Sequence, residues 1–261
     1  MDNNVLIHPK DIPYDELEQL GLEHVMVDDL PQEAMDNLLQ SRPTPLLSLS
    51  VRKNDGDVKR FRGRVMLLGF DDGSVHAVVV PRMKKAYGLE EFDSDAQDYL
   101  TRGGVLLVQE PTGSYYAQFD SVANQVWKTE SAAVDYNLRI ITGNPKNAKY
   151  FDGDSEEALK QGQPVTLTNE EGDGRCTVGI DLLTPTGIRF AAGGEEDFEE
   201  DKRTDDMMRY SFGNYGCWVL TENDSLEYIK EEDFTSEIRE LQKRLLKASH
   251  QEEQRKQNSM S

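Results

Sequence analysis

Seven cationic side chains fall at two places in the chain that a single bend brings together. Lys59, Arg60, Arg62 and Arg64 precede or lie on one β-rich run, and Arg82, Lys84 and Lys85 follow the next. Guanidinium forks and ammonium groups held side by side bind phosphate or carboxylate oxygens, so their chemistry is recognition of an anion. If the bend centres on Asp72-Gly73, antiparallel pairing sets position 62 near 83 and position 64 near 81, beside Phe61 and Met83. The chain as a whole carries a net charge of −20, so a local cationic cluster stands against the average. Like charges gathered across strands cost stability. Either carboxylates of the same chain compensate them, with Glu90, Glu91 and the 195–201 acidic run as candidates, or the cluster docks a phosphate backbone or an acidic partner.

Other reactive residue types show no working spacing. His8, His24, His76 and His250 are scattered without an HxH or HExxH pattern, and zinc needs several nitrogen or sulfur ligands. Cys176 and Cys217 have no CxxC spacing and read as structural thiols of a reducing compartment. His76 alternates with Val75 and Ala77 and reads as a solvent-facing or hydrogen-bonded strand residue. Nucleophile-elbow, P-loop and dinucleotide fingerprints are missing. Asp152-Gly153-Asp154 falls short of an EF-hand ligand set, and the Glu195–Asp201 run reads as a solvated loop. Trp127, Trp218, Tyr115 and Tyr116 read as packing residues. The expectation is therefore no catalytic residue, no metal and no cofactor.

The elements that must position the cations follow from pattern. Phe61 to Val80, FRGRVMLLGFDDGSVHAVVV, is two β-rich runs around an Asp-Gly bend, a strong hairpin signal because glycine supplies the positive φ of a tight turn. Its first run is apolar on both faces from Val65 to Leu68, so other segments cover it. Leu46 to Val51 alternates as a strand. Ile12 to Leu20 and Pro31 to Gln40 read as short helices opened by proline, and Val5 to Ile7 as a short docking strand. Ser94 to Leu100 reads as a helix, and 105–109, 115–119 and 125–129 as strands. Residues 143–154 have linker composition. A capped helical turn then starts at Ser155, followed by strands at 164–168, 175–183 and 187–191 with turns at 170–174 and 185–187, and a further strand at 215–220. Between them AGGEEDFEED is too polar to order alone. Thr235 or Ser236 caps a final helix whose Ile238, Leu241, Leu245 and Ala248 repeat at helical spacing, with a polar tail after it.

The fold class read from this is α+β: mostly antiparallel sheets with short flanking helices, two small modules and a C-terminal helix. The modules divide as 1–142, built on the 61–80 hairpin; a 143–154 linker; a β-rich domain over 155–232 carrying the acidic loop 192–202; and a helix with polar tail over 233–261. No apolar run approaches the roughly 18 residues of a membrane span. The amino terminus lacks a signal-peptide pattern. The expectation is a cytoplasmic protein without a membrane partner.

Two stretches resemble known families. Residues 12–130, through IPYDELEQLGL, LLQSRPTPLLSLSV and RVMLLGFDDGSVHAVVVPRMKK, resemble an uncharacterised domain family of Bacteroidetes conjugative-transposon proteins. Residues 155–190, through EEALKQGQPVTLTN and TVGIDLLTPTGIRF, resemble a second family that often sits beside it, though Glu170, Glu171 and Asp173 stand where that family has a basic strand linker. Some members are fused to proteins similar to type IA topoisomerases. The resemblance implies a mobile-element setting and no activity.

The leading functional expectation is a non-catalytic interaction or regulatory protein that binds another protein, with Ile238, Leu241 and Leu245 as a helix stripe for a partner or a second copy. An alternative, of another class, is nucleic-acid binding through Lys59, Arg60, Arg62, Arg64, Arg82, Lys84 and Lys85. A third is an acidic DNA mimic.

Overall fold

In the computed structural model, which describes residues 7–52, 55–168, 174–199 and 209–259, β1 (Leu47–Arg52), β2 (Val58–Gly69) and β3 (Val75–Pro81) form an antiparallel meander. The bend of the β2–β3 hairpin sets its register. Gly73 N–H donates to Phe70 O at 2.9 Å, and Phe70 N–H donates to Ser74 O at 2.9 Å. Gly73 has φ +83°. The loop is thus Asp71-Asp72-Gly73, a turn closed by a left-handed glycine, which holds one residue more than a two-residue bend. Arg64 therefore lies opposite Val80. Arg82 N–H donates to Arg62 O at 2.8 Å, so Arg62 faces Arg82. The pairing expected from a two-residue bend, 62 with 83 and 64 with 81, is off by this one residue.

Alternation along the three strands separates two faces. Leu47, Leu49, Phe61, Val65, Leu67, Val75, Ala77 and Val79 form the inner face. It is covered by α1 (Tyr14–Gln19), α2 (His24–Asp28) and α3 (Gln32–Leu39), which contribute Leu17, Val27, Ala34 and Leu38. Pro13 and Pro31 stand at the helix starts, where no backbone donor is needed. α2 went unread because five residues are too few to show a period. The free edge of β3 is occupied by Glu16 of α1, whose carboxylate accepts from Ala77 N–H at 2.7 Å and lies 2.7 Å from His76 Nδ1. A capped edge does not recruit another strand. Val5 and Leu6 lie outside the described residues; Ile7 is buried and donates its N–H to Leu39 O at 2.8 Å.

The second layer is β4 (Val105–Glu110), β5 (Gly113–Asp120) and β6 (Gln125–Glu130), again antiparallel. One face packs beneath α4 (Ser94–Thr101) through Leu89, Leu100 and Ala117. Asp93 caps α4, accepting from Ala96 N–H at 2.9 Å. The other face shares a core with α5 (Ser131–Thr142), α6 (Gly153–Lys160) and a third sheet, β7 (Val165–Thr168), β8 (Arg175–Ile180) and β9 (Ile188–Ala192). Tyr116, Val134, Leu138, Leu159, Val178 and Ile180 meet there. The expected 143–154 linker is corrected: Phe151 packs on this core, and Asp152 caps α6 by accepting from Ser155 N–H at 2.8 Å. The described part of the acidic run forms α7 (Glu195–Glu199), in which Phe198 is buried with the Arg189 guanidinium 3.9 Å from its ring centre. Residues 200–202 of loop 192–202 and the turn residues Glu170, Glu171 and Asp173 lie outside the described residues.

The expected independent domain over 155–232 is also corrected. β10 (Tyr210–Phe212), β11 (Gly216–Leu220) and β12 (Leu226–Lys230) leave the third sheet and complete the first, in the order β10-β11-β12-β1-β2-β3. The join is parallel at Leu47–Leu226, where Leu226 N–H donates to Leu46 O at 2.7 Å. Their apolar side chains Trp218, Leu220, Leu226 and Tyr228 extend the inner face that α1–α3 cover. The Trp218 indole donates to Met26 O at 3.0 Å. Asp29, buried at the end of α2, accepts from Asn214 N–H at 2.6 Å, Tyr215 N–H at 2.9 Å and the Tyr228 hydroxyl at 2.5 Å. A Cβ at Gly213 would stand 2.1 Å from the Asp29 carboxyl carbon, so only glycine admits this contact. The last element is α8 (Ser236–Ser259), capped by Thr235 Oγ1 at 3.3 Å from Ile238 N–H. The fold is α+β with mostly antiparallel sheets.

Asp29→Ala leaves three partly buried donors without their acceptor and loosens the returning strands from α2. It lowers stability by about 3 kcal/mol, read as a reduced urea midpoint with unchanged m-value. A loss under about 1 kcal/mol would show that the C-terminal strands are held by other contacts.

Candidate functional site

The outer face of the first sheet, opposite α1–α3, carries the residues of interest. Parity places Arg60, Arg62, Arg64, Met66 and Leu68 of β2 on it, with Ser48, Ser50 and Arg52 of β1 opposite Arg62, Arg60 and Val58. The second sheet docks on the Arg64–Leu68 half and leaves the Arg60–Arg62 half in solvent.

Arg64 is the correction among the expected surface cations. It is buried, at 6 % exposure. Its Nε meets Asp120 Oδ2 at 2.5 Å and its Nη1 donates to Thr44 O at 2.8 Å. Asp120 ends β5, where its Oδ1 accepts from Val122 N–H at 3.0 Å and Ala123 N–H at 3.1 Å, and its Oδ2 from the Trp127 indole at 3.3 Å. Burial raises the Asp120 pKa, but the Arg64 hydrogen bond and charge, with the Ala123 and Trp127 donors, outweigh it, and the carboxyl sits below its ordinary value of 3.8. Arg64 lies opposite Val80 on the same face as Arg60 and Arg62; it leaves the solvent patch because the second sheet covers its end of that face.

The remaining six divide by position. Arg62, half-buried, faces Arg82 across the ladder, and Arg60 extends the row beyond the end of β3. Arg52 of β1 joins them on the same face, opposite Val58. It escaped the sequence reading because only strand pairing brings it there. Lys59 falls on the other parity, opposite Val51. Lys84 and Lys85 are exposed but carried away towards the second sheet, because Met83 N–H donates to Ala123 O at 2.8 Å and Tyr87 N–H to Asn124 O at 2.9 Å. The structure brings Arg52, Arg60, Arg62 and Arg82 together and leaves Lys59, Lys84 and Lys85 on the flanks.

None of these seven forms an ion pair among the described residues. Glu91 pairs with Lys128 instead, and no ion pair among the described residues joins the row to the acidic run at Glu195–Glu199. Glu227 reaches the same face, accepting from Ser48 Oγ at 3.2 Å. At the far end of the sheet, Phe212 and the buried Phe234 stack edge to face and anchor the start of α8. Beyond that anchor Ile238, Leu241 and Leu245 are only half-covered, and Leu246 is 54 % exposed.

The cysteines are free, Cys217 buried with its thiol pushed up to about 12 by burial and Cys176 half-buried. Among the described residues no group of three or more His, Cys, Asp or Glu side chains is placed to hold a metal ion, and no helix is long and apolar enough to cross a membrane.

Compared with known proteins, residues 7–87, about a third of the chain, match a family described as Protein of unknown function (DUF4099). The matched segment holds α1–α3 and β1–β3 and ends at Tyr87, where the chain steps onto the second sheet by a parallel bridge to Gln125. No curated protein and no solved structure matches the chain.

Breaking the Arg64–Asp120 pair from either side leaves a buried charge unmet. Arg64→Ala costs about 3–5 kcal/mol. Because the Asp120 pKa is depressed in the folded state, its contribution is present above pH 3.8 and is lost as the pH falls further, through the folded-state value. Urea midpoints of the wild type accordingly drop below about pH 4, and Asp120→Asn, less stable at pH 7, shows a shallower drop. Parallel pH curves for the two proteins would remove Asp120 as a source of the acid limb.

Proposed function

We propose that the chain is a non-catalytic interaction module whose docking surface is the exposed arginine row on the outer face of the first sheet, and whose ligand is a nucleic-acid phosphate backbone. One observation carries this reading: Arg52, Arg60, Arg62 and Arg82 share a face, are solvent-accessible, and meet no carboxylate among the described residues. Four guanidinium groups left together on a chain of net charge −20 suit an anion supplied from outside, and arginine forks match phosphate oxygens. The surrounding negative charge opposes indiscriminate adhesion, so binding depends on the row itself. We read such a module as an accessory of a bacterial conjugative element working in the cytoplasm, a reading supported by the resemblance of residues 12–130 to mobile-element proteins.

A second reading has its own observation. The half-covered stripe Ile238, Leu241 and Leu245 on α8, with exposed Leu246 beside it, suits a protein partner or a second copy, and Leu241→Asp with Leu245→Asp then abolishes a concentration-dependent rise in mass by light scattering. Unchanged mass in the wild type across concentrations removes self-association from this reading.

The nucleic-acid reading is tested by opposite signs. Arg82→Glu relieves like-charge contact with Arg62 and raises stability by about 0.5 kcal/mol. The same change weakens binding to single- or double-stranded DNA, and each lost phosphate contact lowers the slope of log affinity against log salt by about one. Salt-independent binding, or no binding at low salt, would overturn the proposal.

A further inference from the structure

Arg42 is a second buried guanidinium, and it lacks what Arg64 has. It is 8 % exposed, and its Nη1 donates to Thr129 Oγ1 at 3.0 Å. No carboxylate among the described residues pairs with it. A buried cation without a counter-charge is costly, and burial lowers the Arg42 pKa, although a guanidinium keeps its proton. Its position is fixed, not incidental. α3 ends with Ser41 at φ +54°, and Arg42 N–H turns back to Asn37 O at 2.7 Å, the arrangement that closes a helix through a left-handed residue. Asn37 Nδ2 then ties the loop down, donating to Pro43 O at 2.8 Å and Leu183 O at 2.9 Å. On its far side, a Cβ at Gly187 would come within 3.4 Å of Arg42 Nη2.

This guanidinium lines a cavity of about 190 Å³ where the first and second sheets meet. The opposing walls are apolar: Met66 and Leu68 of β2, Trp127 of β6, Ala133 of α5 and Leu182. Lys128 and the exposed Glu130 also border it, but alternation along β6 sets both on the opposite face from Trp127 and Thr129, and the Lys128 ammonium is committed to Glu91 and lies over the Phe92 and Tyr115 rings. One fixed positive charge, with the hydroxyl residues Ser41 and Thr129 beside it, thus faces an apolar far wall. The volume is below the roughly 300 Å³ at which ligand pockets for drug-sized molecules begin, which excludes a nucleotide.

The geometry points to a small-molecule site, separate from the arginine row, that takes a monocarboxylate carrying a compact apolar body such as a phenyl or branched alkyl group. Arg42 supplies the carboxylate partner, and Met66, Leu68, Trp127 and Leu182 enclose the body. A single negative charge matches the single guanidinium. A phosphate dianion leaves one charge unmet in an apolar chamber.

The test titrates the ¹⁵N-labelled full chain with sodium benzoate, against sodium chloride at equal ionic strength, and follows the two tryptophan indole N–H signals. Trp127 lines the chamber, whereas Trp218 is buried on the far side of the first sheet. The Trp127 signal moves saturably with benzoate and not with chloride, and the Trp218 signal stays in place. Arg42→Met weakens the response about tenfold or more. Leu68→Trp, which fills the chamber and leaves Arg42 untouched, abolishes it and serves where the Arg42 variant does not fold. The proposal is overturned by an unmoved Trp127 signal, by equal movement of both indoles, by an undiminished response in the folded Arg42 variant, or by inorganic phosphate binding as tightly as benzoate. Loss of DNA binding by the arginine-row variants leaves this titration unchanged, so the two proposals fail separately.

Discussion

The Arg64–Asp120 pair is the point at which two sheets of different origin agree on a single arrangement. Each partner is buried, and each spends its remaining polar capacity locally: Arg64 on Thr44 O, Asp120 on the Val122 and Ala123 N–H groups and the Trp127 indole. A buried ion pair is poor evidence of net stability, because desolvation consumes much of the Coulombic gain. Its value is discrimination. Sliding the second sheet along the outer face by one residue would leave both charges buried and unpaired, a penalty that an apolar contact of equal area does not impose. Aliphatic Met66 and Leu68 supply adhesion next to it; the pair supplies alignment.

A single glycine several residues away sets the pairing beside that contact. With a two-residue bend the partner of Arg64 is residue 81; the left-handed Gly73 lengthens the loop, makes it Val80 and sets Arg62 opposite Arg82. Arg62 and Arg64 share one face of β2; the second sheet covers the Arg64 end of that face and leaves Arg62 and Arg82 accessible to solvent. The hairpin and its basic end were legible in the sequence, because Asp-Gly between β-rich runs is a local signal with a local cause. Whether the bend held two residues or three was not legible, since DDGS supports both. The fate of Arg64 hung on Asp120, fifty-six positions away, and no periodicity connects the two.

The same limit explains the misplaced domain border. Pattern identified the 215–220 strand and assigned it to its nearest neighbours in the chain. The pairing that occurs, Leu226 beside Leu47, is decided by which apolar face lacks cover. α1–α3 are too broad an apolar surface for three strands, and Trp218, Leu220 and Tyr228 extend the sheet beneath them. Asp29 and Gly213 make the connection specific: a carboxylate at one helix end accepts from two backbone N–H groups of a turn with no room for a Cβ. The second Asp after VMV and a Gly before NYG carry no sequence signal of that encounter. The segment similar to a known family stops at Tyr87, yet its sheet is completed only by residues 210–230. The intervening chain is therefore an insertion in the structural sense, two further sheets placed between β3 and the strands that finish its sheet.

The two buried arginines show how the same side chain is put to different ends by its neighbours. Both leave the first layer and point to the second, and both are held by backbone geometry on their own side, Arg64 by the β2 ladder and Arg42 by the closing turn of α3. Arg64 meets a carboxylate that three other donors also hold, and its own hydrogen bond and charge, with the Ala123 and Trp127 donors, keep that carboxylate ionised against the opposing effect of burial. Arg42 meets a threonine hydroxyl, which accepts a hydrogen bond but returns no charge. Were Arg42 only a spacer, methionine or leucine would fill the same volume without the desolvation cost, since apolar replacements of buried ions are commonly neutral or stabilising. A guanidinium kept against that gradient, walled by apolar side chains, is explained by an anion that arrives from outside.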